Sequence, residues 1–206
     1  MKKVDWRFAL RLFIVQLILS LITFLLLPTL LGVLPGNPAV QWMILVLCCG
    51  ICYTFLFLDC TVKGSKDVAM DEIARKQNER AGREPEDFAH TFYPRKGLVA
   101  AAIAQTPFFL AALVLLGMQL AGSPAALWLE MLLRTAYMMI AYIFTLFENG
   151  VPAYLFMALS CAFCLVAWWG YTNGVAQRRR MNLIIQRNDA RLARKQSIKK
   201  GRNKRK

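Results

Sequence analysis

Along the chain, apolar residues gather in long stretches that carry little or no charge: 12–34, 39–58, 98–120, 127–147 and 151–171. An element of a water-soluble core keeps a wet face, which appears as alternation at a period of 3.6 or 2. These stretches show neither period, and most reach the ~20 helical residues that cross a hydrocarbon layer ~30 Å thick. The pattern predicts an all-α integral membrane protein: a bundle of four transmembrane helices plus one re-entrant or interfacial helical segment at 127–147. Five transmembrane helices are the alternative.

Punctuation between the stretches agrees. Pro28 removes a backbone donor and is expected to bend the first helix before the break at Leu34-Pro35-Gly36-Asn37-Pro38. Pro107 is expected to kink the third. Between 59 and 96 lie eight basic and eight acidic residues, with one short amphipathic helix expected over 68–80 and a turn at Ala81-Gly82. Asn173-Gly174 is read as the end of the last span. The resulting divisions are an N-terminus (1–11), a first hairpin (12–58), a charged loop (59–96), a second hairpin (97–171) and a polybasic tail (172–206).

Charge decides the sidedness. The chain is 57% hydrophobic with a formal net charge of +14, and 25 of its 26 Lys and Arg residues lie in the N-terminus, the charged loop and the tail. An even number of crossings puts all three on one side, as the positive-inside bias requires, whereas five crossings split them almost equally. The N-terminus, loop and tail are therefore placed in the cytoplasm, at the cell membrane of a bacterium. The first apolar stretch exceeds the ~7–15 residues of a secretory signal core, so it is taken as an uncleaved span. The five tryptophans, Trp6, Trp42, Trp128, Trp168 and Trp169, fall at the expected lipid–water interfaces. Tyr171 is grouped with them as an interfacial anchor.

Few residues suggest chemistry. Glu130, Arg134 and Glu148 are the charges of the outer half, and ionisable groups at membrane depth are candidates for an intramembrane or interfacial polar site. Glu130 and Arg134 are four apart and are expected to pair on one helix face. Cys49 with Cys52, and Cys161 with Cys164, form two Cys-x-x-Cys pairs and hence a candidate thiol site. Cysteine also serves as a small filler at helix contacts, and no span holds a histidine to complete a metal site. Arg11 and Asp59 are expected to act as anchors at span ends, and His90 stands alone. No cofactor, metal or catalytic residue is assigned.

The tail carries 13 basic residues against Asp189. Arg178, Arg179, Arg180, Arg187, Arg191, Arg194 and Lys195 are its candidate sites for anionic lipid or an acidic partner, each cation near the surface contributing about 1 kcal/mol. Its first half is expected to lie flat on the membrane as an amphipathic helix, with a disordered end. Phosphate neutralisation on RNA or a ribosome needs only such charge, although the aromatic interleaving of base recognition is absent. The sequence thus points to a non-enzymatic, multi-pass membrane component whose partners are the bilayer, anionic lipids and other membrane proteins. A transporter or transporter subunit and a membrane thiol oxidoreductase are the rival functions.

Overall fold

The computed structural model describes residues 5–33, 38–82, 93, 95–138 and 150–203, apart from the side chains at 27–33, 38, 41, 42, 45, 189 and 193–203. Every regular element among them is a helix: α1 (Trp6–Val33), α2 (Pro38–Arg80), α3 (Lys96–Leu120), α4 (Ala126–Ala136) and α5 (Ala153–Asn203). Four of these, α1, α2, α3 and α5, are long and apolar enough to cross a membrane. α5 packs along α2 and α3, while α1 touches α3, α2 and α4.

The bundle has two distinct ends. At one, the charged end, the start of α1, the middle of α2, the start of α3 and Tyr171 of α5 meet through Asp5, Lys63, Asp67 and Lys96. At the other, the turn end, α3 closes and α5 begins. α3 stops there because Gly122 (φ 65°) takes a left-handed conformation. The Ser123 N–H then donates to the Met118 carbonyl and that of Gly122 to Gln119, which satisfies carbonyls the helix end would orphan.

Two helices outrun the apolar stretches. α2 has 43 residues and α5 has 51, about 65 and 76 Å at 1.5 Å per residue, so each continues past the charged end as a stalk. The expected separate helix over 68–80 is instead the last third of α2, which ends, as anticipated, at Ala81 and the left-handed Gly82. The expected break at Asn173-Gly174 does not occur. A Cβ on Gly174 would strike the Thr61 carbonyl of α2, one on Gly170 would lie 2.6 Å from the Phe57 carbonyl oxygen, and one on Gly64 would strike the Tyr171 carbonyl. These glycines let the two backbones touch, and Thr61 donates a hydrogen bond to the Gly170 carbonyl oxygen at 3.0 Å. The tail continues the helix of the last apolar stretch as part of α5. Past the contact region, Arg178 and Asn182 of α5 remain on Glu72 of α2.

Within the ambiguous segment, the described residues form a helix of 11 residues, α4, ending at Ala136. Residues 139–149, including Glu148, lie outside the described part, as do His90 and the Trp42 side chain. α4 starts at the turn end, and Gly150 and Val151 lie beside Glu130 at that same end. Its own last residue contacts Gln16 and Ser20 of α1, deep in the bundle. α3 runs through Pro107 without interruption.

Candidate functional site

Three polar clusters are stacked along the bundle, with the basic arm of α5 beyond them. At the charged end, the Lys96 ammonium lies 2.7 Å from Asp67 and 2.9 Å from Asp5, and Lys63 lies 3.0 Å from Asp67 and 3.4 Å from Asp5. Tyr171 donates to Asp67 at 2.9 Å. Lys96 and Asp67 are each only 4% exposed. Two cations and two anions alternate, so the cluster is neutral as a whole and binds four helix segments to one point. Partial burial would raise the Asp5 carboxyl. The Lys96 hydrogen bond, the Phe8 backbone N–H and the charge of Lys63 outweigh it and hold that carboxyl below the ordinary value. Composition alone assigns Lys63, Asp67 and Lys96 to a loop and Asp5 to the N-terminus, whereas their pairing depends on the continuity of α2. Tyr171, expected at the lipid interface, is buried under the cluster. Arg11 and Asp59, expected as separate anchors, form an ion pair.

About 14–16 Å further in, counted along α1, α3 and α5 at 1.5 Å per residue, lies an uncharged cluster. Tyr137 donates to the Gln105 side-chain oxygen at 2.8 Å, the Gln105 amide donates to Gln16, and the Gln16 amide donates to the Ala136 carbonyl at 3.4 Å. Ser20 donates to the same carbonyl at 2.7 Å, and Ser160 lies 2.5 Å from the Tyr137 oxygen. All five side chains are buried. A helix that ends inside an apolar bundle leaves carbonyls without partners. Here Gln16 and Ser20 of α1 satisfy the last carbonyl of α4, while Gln105 of α3 and Ser160 of α5 hold the hydroxyl of Tyr137, the next residue. Sequence reasoning missed this cluster, whose signal was present: Gln16 and Gln105 are uncharged polar residues deep inside apolar stretches.

Nearer the turn end, Glu130 is 5% exposed and pairs with Arg134, as expected from their spacing, at 2.6 and 2.9 Å. Glu130 does a second job. It accepts the Val151 N–H at 2.7 Å, and Gln119 accepts that of Ala153 at 3.1 Å, so both cap the start of α5. Gly150 is required there, since its φ is 108° and a Cβ would press on Glu130 at 3.3 Å.

All six cysteines are free thiols. Cys52 is buried, with its sulfur 3.5 Å from the Thr23 hydroxyl, Cys49 and Cys164 are half-buried, and Cys161 is exposed. Among the described residues no group of histidines, cysteines and carboxylates could hold a metal ion. Between α1, α3 and α4 lies an apolar groove of about 680 Å³, lined by Leu17, Phe24, Phe108, Trp128 and Met131 among others. Trp128, at its rim, is 79% exposed.

The arm completes the set. Arg178 rests 3.9 Å from Glu72, while Arg179, Arg180, Arg187 and Arg191 are exposed on α5. The backbone at Arg194 and Lys195 continues the same helix. No protein-family model matches the chain, and neither a curated protein nor a solved structure does.

Proposed function

We propose that the chain is a multi-pass protein of the cell membrane that crosses it four times, keeps both termini in the cytoplasm and presents a basic helical arm to an anionic ligand. It acts as a membrane component rather than an enzyme. α4 enters from the outer face as a re-entrant half-helix, its inner end held by Gln16 and Ser20.

The observation that carries this reading is the continuity of α5 from its apolar half into its basic half. A cation run on a free tail is commonly only a stop-transfer and orientation signal. This one continues the helix of the bundle and touches α2 at Glu72, which supports a role in presenting charge. The Arg178-Arg179-Arg180 group leaves the bundle closest to the charged end, within reach of anionic headgroups.

Full-length protein in nanodiscs of neutral lipid should bind a heparin column and elute only at raised salt, because screened Coulomb attraction dominates. A variant with the arm's Lys and Arg residues changed to Gln should pass through. Equal elution of the two would rule the reading out.

A transport role is the second reading. It is favoured by one observation, that a half-helix ends among polar side chains at mid-depth, which is how many transporters build a substrate site. Loss of a solute flux in Gln105→Leu, with Tyr137→Phe affected in parallel and normal membrane levels in both, would support it. Unchanged fluxes would leave the cluster as a structural contact at the end of α4.

A further inference from the structure

The cations of α5 are unevenly placed around it. At about 100° per residue, positions 180, 187, 191, 194, 195 and 202, all Arg or Lys, share roughly one third of the helix circumference. They lie opposite the face of Tyr171, Val175, Arg178 and Asn182 that meets α2. The stripe runs about 33 Å along the axis, and Asp189 is the tail's single acid.

Direction separates the part of this stripe past Arg180 from the membrane. The arm is fixed to α2 at Arg178 and Asn182, about 10 and 16 Å past Tyr171. Continued at 1.5 Å per residue, Arg187 sits about 24 Å and Arg202 about 46 Å beyond the charged layer. Headgroups occupy only ~5–7 Å outside the hydrocarbon, and attraction to them decays with a Debye length of ~8 Å. On the four-crossing reading, with α5 along the membrane normal, the Arg187 and Arg191 positions therefore lie about two to three Debye lengths from lipid charge.

A row of like charges that lies, past Arg180, beyond the reach of lipid, with no matching acidic helix face among the described residues, fits a ligand with regularly repeated negative charge. We propose that the distal part of α5 docks on the phosphate backbone of structured RNA. The inference rests on the reading of the arm as an anion-binding element and names its partner. Base recognition is not involved, because no aromatic residue follows Tyr171 for bases to stack on. The deep, narrow groove of an A-form duplex excludes a helix, so such a duplex is met from outside, along its phosphates.

The test uses full-length protein in neutral-lipid nanodiscs and a fluorescent RNA duplex of arbitrary sequence, titrated from 50 to 200 mM salt. Five phosphate contacts predict affinity about five hundredfold weaker across that range. The triple variant Arg187→Glu, Arg191→Glu, Arg194→Glu should lose binding while keeping the wild-type melting temperature, and a second RNA sequence should bind within a few-fold of the first. Absence of RNA binding, with heparin still retained, would overturn the RNA assignment and leave the anion-binding arm standing. Absence of both would overturn the two together. A DNA duplex preferred tenfold or more over RNA would also overturn the assignment.

Discussion

Lys96 shows how strongly one side chain can bind the bundle. It is almost wholly buried between two carboxylates from different segments, 2.7 and 2.9 Å away. Removing one partner of such a pair leaves uncompensated charge, which costs about 3–5 kcal/mol. Lys96→Met should therefore lower the melting temperature in detergent sharply, and Lys96→Met combined with Asp67→Asn should recover part of the loss. A double variant no better than the single would show that charge compensation is not what holds the cluster. Acid tests the same place with a defined sign. The Asp5 carboxyl is lowered by its partners, so its contribution to stability is complete above the ordinary carboxylate value near 4 and is lost as pH falls through the lower folded value. Wild-type protein should lose stability below about pH 4 more steeply than Asp5→Asn. Parallel acid profiles for the two proteins would refute that link.

At the scale of elements, the α2–α5 contact depends on the absence of side chains. Gly64, Gly170 and Gly174 stand where a Cβ would meet backbone oxygen of the other helix, and backbone cannot yield as a flexible side-chain tip does. Gly174→Leu should separate the stalks and destabilise the fold by at least the ~1–3 kcal/mol typical of overpacking. Gly50→Leu, where a Cβ meets nothing within 4 Å, is the matched control and should melt like wild type. Equal losses in both would point to helix propensity or lipid contact instead. This contact also explains what was legible beforehand. The four long apolar helices and the Glu130–Arg134 pair followed from run length and i,i+4 spacing, which are local. The continuity of α5 did not, because Asn173-Gly174 carries the local signature of a stop, and only the oxygen of Thr61 on another helix turns Gly174 into a contact residue. The Gly170-x-x-x-Gly174 spacing was the available clue. The cluster of Gln16, Gln105, Tyr137 and Ser160 was hidden for a similar reason: its members are far apart in sequence and meet only because the end of α4 lies among α1, α3 and α5.

For the whole molecule, the proposed sidedness joins two independent constraints. The charge distribution asks that N-terminus, loop and tail share one side. The geometry asks that the start of α1, the middle of α2, the start of α3 and Tyr171 share one end, since Asp5, Lys63, Asp67, Lys96 and Tyr171 touch there. The turn after α3 and the start of α5 belong to the opposite end, because Gln119 and Glu130 hold Val151 and Ala153. The described chain is at the turn end both before Ala126 and at Gly150, which supports the proposed four crossings over five. In a variant freed of native cysteines, a cysteine at Ser123 should therefore react with a membrane-impermeant maleimide added to intact cells. A cysteine at Ser197 should react only after the membrane is opened. Labelling of Ser197→Cys in intact cells would reverse the arm to the outer face, remove cytoplasmic RNA from its reach and leave the two constraints in conflict. Labelling of neither position until permeabilisation would instead bury the turn end, and would break the assignment of that end to the aqueous outer side.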